Sequence, residues 1–244
     1  MGLVVTKGYL IARYDYSTFD EILVFLNNFG NKFTCIALGT RKINSKNSRA
    51  LFFGNYLEIE MFYSNSDKLS KLKKVVAINQ IGFEYSSNLA FFTIGDILAS
   101  MKELNKDWFS FYQDVLIKIL MNYDQYELSV YIYFTFIQKI FKSINLIKCN
   151  HMVTKTMFGY SFAKKSFVCT TCFPTVKPLT KEEIQVFKDI FDNKQDINKI
   201  FFCKKYNINW KDFYLKLHYS FKELINKINQ SYKSKRVQNE KSPN

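Results

Sequence analysis

YLEIEMFY, the run from Tyr56 to Tyr63, decides how the front of this chain is read. Leu57, Ile59 and Met61 point one way and Glu58 and Glu60 the other, the period-2 pattern of a half-buried strand. KFTCIAL, Lys32 to Leu38, alternates too, with Phe33, Cys35 and Ala37 on one face and Thr34, Ile36 and Leu38 on the other. Leu3 to Arg13 is rich in β-branched and apolar residues, with Gly8 as a bulge or point of close approach. Leu72 to Ile78 is a further strand. Glu21 to Leu26 admits two readings. Ser17 and Asp20 before it resemble a helix capping box, whereas the turn Asn28-Phe29-Gly30-Asn31 after it favours a hairpin. Short strands with turn residues between them predict a small barrel over residues 1–80.

After about Gln80 the spacing turns helical. Ile94 to Leu104, Trp108 to Met121 and Glu127 to Ile147 carry apolar residues three or four apart. Pro174 and Pro178 close a cysteine-bearing stretch, and Thr180 with Glu183 opens another helix as N-cap and N3 residue. Trp210 to Tyr232 is a final amphipathic helix before a solvated, disordered tail from about 233. The expected fold is therefore mixed α and β. A barrel domain (1–80) precedes an all-helical domain (81–244) with a zinc-ribbon-like knuckle at 149–172.

Hydrophobic residues make up 48% of the 244 and aromatics 18%, enough for packed cores. No apolar run reaches the roughly 20 residues that span a bilayer, and the N-terminus lacks the pattern of a signal peptide. A cytoplasmic setting with reduced cysteines is expected. The formal charge is +14, pointing to a polyanionic partner. An AT-rich genome would also enrich lysine, so distribution matters more than the total. Between Leu128 and Lys181 there is no Asp or Glu, yet eight lysines fall there, among them Lys139, Lys155, Lys164 and Lys165. No phosphate-binding glycine loop and no H-E-x-x-H or G-x-S-x-G motif occurs, so an enzyme reading has little to stand on.

Taken in order, these features resemble the RecO family of recombination mediators. Gly8-Tyr9-Leu10 through Ser17-Thr18-Phe19-Asp20-Glu21-Ile22-Leu23 is similar to that family's opening strand, acidic turn and second strand. Asn28 to Lys32 resembles its hairpin turn, and Ala37-Leu38-Gly39-Thr40-Arg41-Lys42 the segment closing its third strand. Leu128 to Ile147 leading into Cys149 resembles the helix that precedes its metal knuckle, and Phe158 to Phe162 and Val168 to Cys172 resemble the knuckle's middle and second half. Leu215 to Tyr219 is similar to the start of its closing helix. Met152 stands where the fuller knuckle has a cysteine, and Leu51-Phe52-Phe53-Gly54 lacks the usual proline. The resemblance implies an OB-fold, single-stranded DNA binding and annealing without ATP, and nucleoid association. As partners it implies RecR, a RecA-coated filament and the acidic tail of single-strand-binding protein.

The candidate sites follow. Cys169-x-x-Cys172 is half of a metal knuckle, to which Cys149 and His151 would add a third and fourth ligand for a structural Zn²⁺. The competing reading is a degenerate knuckle packed by Met152, Phe158 and Phe162. The loop Arg41-Lys42-Ile43-Asn44-Ser45-Lys46-Asn47-Ser48-Arg49 would border a binding groove, extended by Arg13 and Lys32 and, from the second half, by Lys155, Lys164 and Lys165. A plain solvated loop is the alternative. Phe52, Phe53 and Tyr56 are stacking candidates or core, and His218 reads as a packed histidine. Cys35 and Cys203 read as buried or incidental thiols. An RNA-binding zinc-ribbon protein of ribosome or tRNA metabolism is the alternative function. The single-strand-binding reading needs cations from the two halves to converge on one continuous surface that an unpaired strand can follow.

Overall fold

Five stretches of the N-terminal sequence become strands: β1 (Gly2–Asp15), β2 (Glu21–Asn27), β3 (Lys32–Ala37), β4 (Tyr56–Tyr63) and β5 (Ser70–Asn79). They appear in a computed structural model that describes residues 2–64, 69–141, 145–146, 158–191, 196–202 and 206–240. The strands join in the order β1-β2-β3-β5-β4, and β1 pairs with β4 as well as with β2, so the sheet closes on itself. The β3–β5 pairing is parallel and the others antiparallel. Register follows the alternation. Ile59 lies between Thr6 and Val75, Leu57 between Gly8 and Ala77, and a slip of one residue would turn Glu58 and Glu60 inward. Leu10, Leu23, Phe25, Cys35, Leu57, Ile59 and Val75 fill the interior. Gly8 is a close approach as expected, since a Cβ there would lie 2.3 Å from the Leu26 carbonyl oxygen. The hairpin reading of Glu21 to Leu26 holds, with Gly30 in the β2–β3 turn at φ +82°.

Helices α1 (Leu89–Ser100) and α2 (Lys106–Leu120) follow, capped by the side chains of Asn88 and Asn105. The chain divides into two compact units, 1–129 and 130–244, so α1 and α2 group with the strands rather than with the later helices. They cover the outside of β1. The Tyr112 hydroxyl donates to the Leu10 carbonyl at 3.4 Å, and the Tyr9 ring lies 4.8 Å from Tyr112 and 5.5 Å from Phe109. Tyr9, Ile11, Ala12, Val24 and Leu26 point out of the barrel yet are buried. The expected boundary near residue 80 marks the change from strand to helix, while the compact unit runs further because these faces need cover.

The second unit holds most of α3 (Gln125–Phe141), a small sheet of β6 (Asn145–Leu146), β7 (Phe158–Ser161) and β8 (Ser166–Cys169), then α4 (Lys181–Phe191), α5 (Ile197–Phe202) and α6 (Trp210–Glu240). Its core is aromatic, with Phe134 4.4 Å from Phe187 and 5.5 Å from Phe201. The Thr180–Glu183 capping box forms reciprocally, at 2.7 and 3.2 Å. Buried Glu183 also accepts from Lys216 at 2.9 Å, which offsets the cost of removing both charges from water. Two expected boundaries move. Helix α3 ends at Phe141, short of Ile147, and α6 continues to Glu240, past Tyr232 where a disordered tail was expected.

Candidate nucleic-acid interface

One end of the barrel is closed by a carboxylate. Glu21, 4% exposed, accepts from Arg13 Nε at 3.0 Å and Arg13 Nη2 at 2.7 Å, and from the Thr40 hydroxyl at 2.8 Å. Arg41 Nε lies 3.6 Å away, and the same guanidinium pairs with Asp15. Burial alone would raise the Glu21 pKa, but the Arg13 and Thr40 hydrogen bonds and the Arg13 charge outweigh it and lower it below the ordinary 4.5. Arg13 Nη1 donates to the Leu51 carbonyl at 2.9 Å. The cluster thus ties β1 and β2 to both ends of the loop between β3 and β4.

The β1–β2 turn pins the same loop from the side. Asp20 accepts from the Gly39 backbone N–H at 2.7 Å and from the Ser17 hydroxyl at 2.8 Å, and both bonds hold its carboxyl below its usual range. Arg41 N–H donates to the Phe19 carbonyl at 3.2 Å. At the far end the Asn47 side chain acts as a strand partner for β5, donating to the Lys73 carbonyl at 3.4 Å and accepting from Val75 N–H at 3.1 Å. Residues 38–50 therefore form no strand or helix and are nonetheless held to the barrel near both ends.

What this scaffold presents is cationic and aromatic. Lys42, Lys46 and Arg49 are exposed, and Tyr16 and Phe19 are 58% and 50% exposed in the adjoining turn. Lys42 Nζ stands 5.6 Å from the Phe19 ring centroid. Through Asn47 the loop adjoins β5, where Lys71, Lys73 and Lys74 are exposed. Lys73 is paired with Glu60 at 3.2 Å. The three β5 lysines were legible as the run KLKK at 71–74 but were not expected at the site. Phe19 lay within the quoted turn without being singled out, since nothing in the sequence says which aromatics stay outside.

Arg13 and Lys32 behave differently from the expectation. The Arg13 donors go to Glu21 and Leu51. Lys32 Nζ donates to the carbonyls of Ala99 at 2.7 Å and of Met101, with Leu98 at 3.5 Å, so it caps the C-terminus of α1. Both side chains brace the fold because their hydrogens are already engaged by protein oxygens. Phe52, Phe53 and Tyr56 are partly buried; Tyr56 lies 5.1 Å from the buried Tyr9 ring, whereas Phe52 and Phe53 lie 5.4 Å from Phe83 and 5.2 Å from Phe92, both exposed rings. Burial pushes the Cys35 thiol up to about 12, leaving it unreactive.

In the second unit, Lys164 and Lys165 are exposed at the β7–β8 turn, with Lys165 at φ +54° and its Nζ 5.1 Å from the Phe141 ring. Lys155 lies outside the described residues. So do Cys149, His151 and Cys203. Of the expected zinc ligands, Cys169 is buried at the end of β8 and Cys172 is exposed three residues on. These two sulfurs alone do not make a metal site, and among the described residues no group of three or more ligands gathers. His218 packs as expected. Its Nδ1 meets the Tyr133 hydroxyl at 2.9 Å, and burial, with the Lys222 charge nearby, lowers its pKa to about 4.

A closed five-stranded sheet with an exposed basic loop beside an aromatic turn defines a class, a barrel consistent with an OB-fold. No family model matches the chain. Two proteins named DNA repair protein RecO do resemble it. That of Mycoplasma mycoides subsp. mycoides SC is 28% identical over 177 residues, covering 68% of this chain and 71% of the relative. That of Mycoplasma capricolum subsp. capricolum is 26% identical over 179 residues, with the same coverage. These similarities support the RecO family for this chain. Among solved structures, an asparaginyl-tRNA synthetase of Entamoeba histolytica matches 66% of this chain and 38% of its own, at 13% identity and a TM-score of 0.28, a likeness that carries no argument.

Proposed function

We propose that this chain acts in DNA repair and recombination as a mediator that binds single-stranded DNA on the pinned loop of its barrel. The observation that carries the reading is the loop itself. Lys42, Lys46 and Arg49 stand exposed beside Phe19 and Tyr16, on backbone fixed by Asp20, Glu21 and Asn47. Cations there neutralise phosphates and release counterions, while rings stack on unpaired bases whatever their sequence. Lys71 and Lys74 on β5 lengthen the track, and Lys164 and Lys165 offer a second basic element in the other unit. The similarity to two RecO proteins supports the repair and recombination role.

Neutralising two complementary strands lowers their repulsion, so annealing without ATP follows from the same groups and asks for no catalytic residue. RecR, a RecA-coated filament and the acidic tail of single-strand-binding protein enter as partners through the family resemblance, as does a cytoplasmic, nucleoid-associated setting. Among the described residues no helix is long and apolar enough to cross a membrane. A Zn²⁺ held by Cys149, His151, Cys169 and Cys172 would be structural, since four protein ligands leave no position for a reacting water.

The test is annealing of two complementary oligonucleotides without ATP. The expected result is acceleration by the wild-type chain and loss of it in a Lys42→Ala, Lys46→Ala, Arg49→Ala variant. Equal activity in that variant, or binding of a structured RNA in preference to single-stranded DNA, would overturn the reading.

A further inference from the structure

Two stretches of sequence without a basic residue meet beside the barrel. Ala50-Leu51-Phe52-Phe53-Gly54-Asn55 is uncharged, and from Val75 to Met101 there is no Lys or Arg, in a chain that has 35 of them among 244 residues. The charged residues of the second stretch are Glu84 and Asp96. The Asn55 side chain ties the two together, accepting from the Ile81 N–H at 3.0 Å and donating to the Ala50 carbonyl at 3.1 Å. Gly54 is required where they touch. It sits at φ +88°, and a Cβ there would lie 2.4 Å from Ile81 Cδ1 and 2.6 Å from Phe91 Cζ.

Rings surface along this seam. Phe52 meets Phe83 edge-on at 5.4 Å, and Phe53 meets Phe92 in the same way at 5.2 Å, so the four rings make one patch. Phe83 is 75% exposed and Phe92 45%, the other two partly. Both carboxylates border it. The Glu84 side chain folds over Gly82, where a Cβ would lie 2.1 Å from its Oε1. Asp96 follows Phe92 by one turn on the exposed face of α1. Beyond it stands Tyr14, its phenol raised by burial and by the Asp96 charge. Bases could stack on such rings, but their phosphates would meet Glu84 and Asp96 with no basic residue in either stretch to offset them. An acidic peptide is repelled for the same reason. A guanidinium suits both features, since its plane stacks on a ring while its donors grip a carboxylate. A second copy of this chain would bring only four arginines, and Arg13 and Arg41 already serve Glu21 and Asp15.

We propose that Phe52, Phe53, Phe83 and Phe92, with Glu84 and Asp96, form a docking surface for an arginine-bearing segment of a partner protein. The rings cover the apolar stems and stack on the guanidinium planes, and the two carboxylates take the charge. None of these six residues is assigned to DNA, so the two readings stand or fall separately.

The probe is a fluorescein-labelled octapeptide of alternating Arg and Leu, added to the full chain, with a peptide of alternating Lys and Leu as control. Saturable anisotropy is expected for the Arg peptide, and binding about tenfold weaker for the Lys peptide. The net charge of +14 opposes a cationic peptide elsewhere on the chain, so saturable binding reports a local site. Phe83→Ala and Glu84→Lys should each weaken the Arg peptide about tenfold. Both side chains are exposed, so Tm and single-stranded DNA affinity should stay as in wild type. No binding by the wild type, equal binding by wild type and both variants, or equal affinity for the two peptides would overturn the proposal. So would lost single-stranded DNA affinity in Phe83→Ala at unchanged Tm, since the rings would then be holding bases. Sedimentation showing a wild-type dimer that Glu84→Lys dissociates would overturn it too, the occupant then being a second copy.

Discussion

Replacing Glu21 by Gln strikes the junction on which the candidate site rests. The amide keeps the size of the side chain but loses the charge and one acceptor oxygen, so it cannot serve Arg13 Nε, Arg13 Nη2 and the Thr40 hydroxyl together. Breaking a fully buried ion pair costs about 3–5 kcal/mol. Here Glu21 is buried but Arg13 is about 30% exposed and can recover water, and Arg41 keeps Asp15. A loss of about 2–3 kcal/mol is therefore expected for the barrel unit, a fall in Tm of roughly 8–12 °C. Because the folded carboxyl has its pKa lowered, its contribution is present above the ordinary value of 4.5 and is lost as pH falls below it. Wild type should lose stability over that acid range, and the Gln variant should lose less. The assay is thermal unfolding at pH 7 and across the acid limb, with hydrogen exchange at Gly39–Lys42 as the local readout. An unchanged Tm, or a lower Tm with exchange in the loop untouched, would refute the view that Glu21 holds the loop in place.

Three further outcomes are expected. Phe19→Ala should weaken single-stranded DNA binding by about tenfold, as loss of one stacked base does, with no change in Tm because the ring is half exposed; equal affinity in a filter-binding titration would remove Phe19 from the site. His218, lowered to about 4 by burial, should make the second unit lose stability as pH falls from its ordinary 6.5 toward 4, since the unfolded chain takes up the proton first; a His218→Gln variant with the same pH profile would contradict this. Metal analysis of protein prepared without chelator should find Zn²⁺ that Cys169→Ser or Cys172→Ser releases, and its absence from the wild type would leave the packed, metal-free knuckle as the reading.

The strands were legible because alternation is a strong local signal when one face is buried and the other is wet. Leu57, Ile59 and Met61 against Glu58 and Glu60 fixed β4 and its register together. The α1 start was read five residues late. Asn88 caps it, but the apolar run behind it has little polar contrast to mark a turn of helix. The roles of cations were the least legible feature. Arg13, Lys32 and Lys46 look alike in sequence. Only tertiary structure brings Glu21 and the Leu51 carbonyl to Arg13 and three helix-end carbonyls to Lys32, leaving Lys46 to solvent. The same holds for rings. Tyr56 packs against Tyr9 because β1 runs beside it, whereas Phe19, in the β1–β2 turn with Lys42 over its ring, is left half exposed.

The measurement closest to the central claim is the salt dependence of single-stranded DNA affinity, compared between wild type and a Lys42→Ala, Lys46→Ala, Arg49→Ala variant. Each phosphate neutralised contributes about −0.7 to the log–log slope, so the variant's line should be shallower by about 2. Two parallel lines would mean that these side chains meet no phosphate, and the DNA-binding account of the loop would be wrong.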